Sequence, residues 1–80
     1  RTSVSRFISI DASYSKGVVK SVRHIIRQFS DNLVSFTIQK QVKNKRLRIQ
    51  VVAQISRDQI LEELIEELSD IEGVRNLKVE

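Results

Sequence analysis

The sequence predicts an α+β sandwich of the order strand–helix–strand–strand–helix–strand, and three observations predict it. The hydrophobic period along the chain changes from two to about 3.6 and back again, twice. The two central strand-like runs are separated by a short basic turn, so they pair antiparallel, because a parallel pair would need a long crossover. Each of those runs alternates apolar with polar residues, which leaves the sheet one apolar face for helices to cover and one polar face open.

Val4, Ile8, Ile10 and Ala12 fall at even spacing and place the first strand over about residues 4–11, with Phe7, Ser9 and Asp11 on the opposite face. Residues 1–3 are polar and read as a frayed end or linker. Residues 12–17 connect to the first helix, with Ser15 as its expected N-cap and Gly17 in its first turn. Val18, Val19, Val22, Ile25, Ile26 and Phe29 recur at helical spacing, and Ser30-Asp31-Asn32 reads as the turn that ends this helix.

The second strand is expected over about residues 33–42 and the third over 46–55. Their inward sets are Val34, Phe36 and Ile38, and Leu47, Ile49, Val51, Ala53 and Ile55. Ser35, Thr37, Gln39 and Gln41 face outward with Arg48, Gln50, Val52 and Gln54. The second helix carries Ile60, Leu61, Leu64, Ile65, Leu68 and Ile71 on its apolar face. A capping box Ser56-x-x-Gln59 is expected to open it, and Gly73 to close it as a left-handed C-cap. Residues 73–80, with Leu77 and Val79 alternating, supply a short last strand. Right-handed crossovers put strands one and three in the centre, giving the sheet order 4-1-3-2. The result is a ferredoxin-like βαββαβ sandwich with both helices on one face.

Eighty residues without a cysteine make one domain near the lower size at which a core folds unaided, so pairing with a second copy or a neighbouring domain would add stability. The chain also lacks methionine and reads as a piece, expected to be C-terminal, of a longer protein. No apolar run reaches the roughly 18 residues of a membrane span, and no signal peptide is visible. The balance of 14 Lys+Arg against 10 Asp+Glu gives a net charge of +4, unevenly spread. The first helix holds Lys16, Lys20, Arg23 and Arg27, whereas the second holds Asp58, Glu62, Glu63, Glu66, Glu67 and Asp70. Two such helices side by side are expected to set opposite charges across their seam.

Nothing in the chain reads as an enzyme, a metal centre or a cofactor site. Acyl or phosphoryl transfer needs a nucleophile with a base, or paired carboxylates in a cleft. His24 falls among Lys20, Arg23 and Arg27 on a helix surface. The Glu62, Glu63, Glu66 and Glu67 carboxylates diverge from their helix, where a hard cation needs converging oxygens. RNA-binding sheets of this topology stack bases on exposed aromatics of the central strands. Here those strands offer only Phe7, with Tyr14 in the loop beyond, so nucleic-acid binding through Lys43, Lys45, Arg46 and Arg48 ranks last.

Two segments carry a family resemblance. The junction Ser15-Lys16-Gly17-Val18-Val19, and the run from Leu64 through Gly73-Val74 into the last strand, resemble the ACT domain across the whole chain. The resemblance implies a non-catalytic regulatory module that dimerises and often senses a small ligand. In amino-acid-binding members the first loop carries an Asp-x-Pro-Gly-like run. Gly17 matches its glycine, while Lys16 stands at the proline and Tyr14 at the acidic position. A ligand pocket at this loop would use Tyr14, Ser15, Lys16 and Gly17, with Asn32 as a further candidate. The edge strands two and four each lack a neighbour and are the surfaces open to pairing, and the longer second strand, with Ser35, Thr37, Gln39 and Gln41, is the expected homodimer edge. The pattern from Leu68 to Val79 and the basic hairpin are most similar to the soluble C-terminal domain of MgtC/SapB-type membrane proteins. That implies a cytoplasmic location behind transmembrane helices and a link to magnesium, which Arg1, Thr2 and Arg6 at the membrane-leaving end would suit. The alternative is an amino-acid-sensing domain that controls an attached metabolic or stringent-response enzyme.

Overall fold

The computed structural model describes residues 4–80. The expectations placed on Arg1, Thr2 and the rest of residues 1–3 lie outside the described residues. Six elements follow in order: β1 (Val4–Ser13), α1 (Val18–Phe29), β2 (Asn32–Gln41), β3 (Arg46–Ile55), α2 (Asp58–Ser69) and β4 (Val74–Val79). One four-stranded antiparallel sheet has the order β2-β3-β1-β4, which is the expected 4-1-3-2 read from the other edge. Helix α1 packs over β2 and β3, and α2 over β4 and β3.

The alternation places the core where the pattern expects it. Ile8 and Ile10 of β1, and Ile49 and Val51 of β3, sit opposite one another in register and are fully buried beneath Val22 and Ile26 of α1 and Leu64 and Leu68 of α2. A smaller cluster of Ala12, Val18 and Leu47 closes the end nearest the first loop. Among the described residues no polar or charged side chain is buried, so burial of apolar area holds this fold together.

Val34 departs from the expected inward set. The β2–β3 register slips between Leu33 and Ser35, so Leu33 opposes Ala53, Ser35 opposes Val52, and Val34 becomes the extra residue of a bulge at 53% exposure. A bulge inserts one residue into the period-two alternation, and Leu33 takes the core-facing place. Phe36 keeps its inward position. Ile38 does too, yet stays 42% exposed because β2 has no strand beyond it.

β1 runs on to Ser13 and β2 begins at Asn32, and three helix boundaries also differ from the sequence reading, each for a backbone reason. The N-cap of α1 is Gly17, at φ 91°, rather than Ser15. The Ser15 carbonyl accepts the Val18 N–H at 3.2 Å, and the first intrahelical bond runs from Ser21 N–H to the Gly17 carbonyl at 2.9 Å. Helix α2 starts one residue later than the capping box requires: its N-cap is the extended Arg57, with no side-chain cap bond. Asp58 in the first turn supplies the negative charge favoured there and pairs with Arg6 at 3.0 Å. The same helix ends at Ser69, so Gly73 is not its C-cap. Gly73 stands at φ 100° in the turn that reverses the chain into β4, and its carbonyl accepts the Ser13 N–H at 2.8 Å.

The two glycines are therefore not equivalent. A Cβ on Gly17 would meet nothing within 4 Å, whereas one on Gly73 would sit 3.4 Å from the Ser13 carbonyl oxygen. Both pay the left-handed backbone cost of about 1–2 kcal/mol on replacement by alanine. Because 3.4 Å is ordinary contact, urea unfolding of G17A and G73A is expected to show similar losses set by the backbone; an unchanged midpoint for either would contradict its left-handed placement.

The charges of the helices do not meet across their seam as expected. The Arg23 guanidinium lies over the Phe36 ring at 4.8 Å, so the basic side of α1 turns toward the β2 edge and away from α2. Among the described residues the ion pairs are Arg6–Asp58, Arg48–Asp11 and Lys78–Glu80, and none joins the two helices. The helical period fixes which side chains leave the core, but the sheet beneath fixes which edge they overhang.

Candidate functional site

The first loop is held from both sides. Tyr14 donates its N–H to the Lys45 carbonyl at 2.7 Å, and the Lys40 ammonium sits 3.7 Å from the centre of the Tyr14 ring. Such a cation over a ring contributes about 0.5–1 kcal/mol at an exposed position. Ser15, Lys16 and Gly17 follow, all exposed, with the space beside Gly17 open. The Val18 amide at the helix start is already engaged by the Ser15 carbonyl. A ligand at this loop would thus meet fewer helix-start amides than the motif alone suggests.

Asn32 does not join that loop within one chain. It opposes Gln54 at the start of β2, near the Val4–Ile55 end of the sheet, whereas the loop adjoins the Ser13–Arg46 end. The whole of α1, about 18 Å long, separates the two. Ser35, Thr37, Gln39 and Gln41 lie together on the open sheet face, opposite Val52, Gln50, Arg48 and Arg46.

The backbone at the β2 edge is presented by other residues. Lys45 turns its carbonyl to Tyr14 of the β1 end and Gln54 turns its carbonyl to Asp31, which precedes β2. Successive strand residues alternate in the direction of their backbone groups. Even-numbered residues of β3 therefore face β2, and their partners Ser35, Thr37, Gln39 and Gln41 face back. The N–H and C=O groups of Phe36, Ile38 and Lys40 turn to the open edge. Sequence alternation identifies the two side-chain faces, but the direction of the backbone groups depends on which neighbour each strand pairs with.

A shallow cavity of 130 Å³ opens on the polar sheet face, lined by Asp11, Gln39, Gln41, Arg46, Leu47 and Arg48. Arg48 Nε donates to Asp11 Oδ1 at 3.2 Å, so the one carboxylate there is paired with a guanidinium. The alternation places these residues on one face; their convergence comes from the Asp11–Arg48 and Gln39–Arg48 register. A second cavity, of 230 Å³, lies between the end of α2 at Ser69 and Val74, Arg75, Asn76 and Leu77 of β4. His24 is exposed on α1, and the α2 carboxylates Glu62, Glu63, Glu66 and Glu67 are exposed. No helix among the described residues is long and apolar enough to cross a membrane.

The arrangement is therefore a one-sided sandwich with an apolar core, two exposed edges and shallow polar depressions. That is the fold of the ACT domain. It is similar to the ACT domain of GTP pyrophosphokinase from Chlorobium tepidum, with a TM-score of 0.86 at 16% identity over 99% of this chain and 100% of that one. It is also similar to the C-terminal domain of the MgtC protein from Mycobacterium tuberculosis, with a TM-score of 0.79 at 15% identity over 99% and 86%. A formyltetrahydrofolate deformylase from Burkholderia mallei contains the same fold, with a TM-score of 0.79 at 14% identity over 95% of this chain and 27% of that larger one. No protein-family model matches the sequence, and no curated protein matches it significantly. At these identities the likeness establishes the fold.

Proposed function

We propose that this chain is a non-catalytic regulatory module that associates with a second copy through the β2 edge and passes its state to the protein it belongs to. One observation carries the reading. Three of the five large apolar side chains most exposed among the described residues lie on that edge strand or just past its end: Val34 at 53%, Ile38 at 42% and Val42 at 75%. They border a ten-residue strand with free backbone groups, which makes an interface of what would otherwise be an aggregation hazard. The likeness to the MgtC C-terminal domain supports placing the module at the cytoplasmic face of an MgtC/SapB-type membrane protein linked to magnesium homeostasis. Sedimentation velocity from micromolar to near-millimolar chain is expected to show reversible association. A monomer throughout overturns the reading.

A second reading, a small-ligand sensor, is favoured by the open, left-handed backbone at Gly17 and by the likeness to the GTP pyrophosphokinase ACT domain. Ser15, Lys16 and Gly17 would contact the ligand, and Asn32 could join them only from a partner copy. A thermal-shift panel of amino acids, nucleotides and divalent cations tests it. A ligand at 100 times its Kd adds about 2.7 kcal/mol, and a silent panel counts against the sensor.

A further inference from the structure

The two open edges of the sheet are not alike. Helix α1 beside β2 carries Lys20, Arg23 and Arg27 and no acid, while α2 beside β4 carries Asp58, Glu62, Glu63, Glu66 and Glu67 and no base. Arg23 over Phe36 shows that the basic side of α1 overhangs the β2 edge. The helices follow antiparallel strands and run in opposite directions. The same rotation from the buried stripe that brings Arg23 and Arg27 to one edge therefore brings Asp58, paired there with Arg6, and Glu62 toward the other, with Glu66 beside Glu62 on the side of the helix away from the sheet.

The backbone groups at both edges also match. Phe7 and Glu80 exchange N–H to O bonds at 3.1 and 2.8 Å, so along β4 the free groups belong to Leu77 and Val79. On both edges the residues with free backbone groups have helix-side side chains. Because β2 runs antiparallel to β3, β3 to β1 and β1 to β4, β2 is antiparallel to β4. A second copy displaced along the sheet sets its β4 antiparallel against β2, with all helices on one face.

From this complementarity we infer that copies of the chain associate head to tail, β2 of one against β4 of the next, with the basic side of α1 facing the acidic side of the neighbour's α2. The inference rests on association through the β2 edge and adds which surface the partner offers. A symmetric β2–β2 pair would set two basic helices side by side, within the roughly 10 Å over which charges are felt at ordinary ionic strength. Head-to-tail contacts leave one edge open at each end, so assembly proceeds past the dimer to rings or filaments.

A charge swap tests it by sedimentation velocity on the whole chain. One variant carries Arg23→Glu and Arg27→Glu, the other Glu62→Lys and Glu66→Lys, and thermal melts check that each is folded. Lys20→Glu with Arg27→Glu serves as the first variant if loss of the Arg23–Phe36 contact proves disruptive. Each variant alone is expected to associate at least tenfold more weakly than the wild type, and an equimolar mixture to recover association. If the Glu62/Glu66 variant alone associates like the wild type and stops at a dimer, the head-to-tail arrangement is overturned while association through β2 stands. If the wild type itself stays monomeric, both fall.

Discussion

Truncating Leu64 to alanine is expected to leave this domain largely unfolded at 37 °C. Leu64 is fully buried at the centre of α2, within the cluster that includes Ile8, Ile10, Val22, Ile49 and Leu68. Removing such a side chain costs about 2–5 kcal/mol, from lost transfer energy and from the cavity left behind. A core of this size supplies only about 3–5 kcal/mol in total when no disulfide or metal assists it. The half-buried Leu61, three residues earlier on the same helix, provides the control and should lose markedly less. Urea unfolding followed by circular dichroism measures both. A Leu64→Ala midpoint close to the wild type would mean that α2 is not seated as described.

Proline at position 38 is expected to leave the fold nearly as stable as before while abolishing self-association. The Ile38 N–H turns to the open edge, so a proline there removes no bond to β3 and only the donor offered to a partner strand. Proline at position 37 does the reverse. Thr37 opposes Gln50 and directs its backbone to β3, so the substitution breaks the ladder and leaves a partner unsatisfied, at a cost of about 1–3 kcal/mol. Melting curves and sedimentation of I38P and T37P together separate the two roles. Should I38P melt far below T37P, the assignment of the free backbone groups is reversed.

Much of the fold was legible because burial and period coincide in β1, β3 and α2. Ile8, Ile10, Leu47, Ile49, Val51, Leu64 and Leu68 all lie where alternation or helical spacing puts them. Legibility fails where a second local solution fits the same residues. Val34 reads as inward by counting from Phe36, but one inserted residue lets Leu33 take the core position. Ser56 satisfies a capping pattern, yet the chain leaves β3 so that Arg57 is the last extended residue. Ser15 was an equally good cap until the left-handed Gly17 took the place. The loop residues Tyr14 to Gly17 adjoin along the sequence, but nothing local to the sequence reports that Asn32 stands a helix length from Gly17. Nor could composition show that Arg23 would lean over Phe36 rather than toward α2, since that depends on the order of strands beneath.

The β2–β3 hairpin has a mechanical consequence. Every side chain from position 39 to 46 is exposed, and the molecule is drawn out to 44 Å along one axis against 21 and 19 Å along the others. That stretch is a finger with no helix behind it, braced only by Tyr14 against Lys40 and Lys45, and it joins the core where Leu47 and Ala12 pack with Val18. With few apolar contacts to break, it bends or opens well before the remainder loosens. A load applied at its tip is expected to bend that stretch before it disturbs Ile8, Ile10, Ile49 and Val51 at the centre of the sheet.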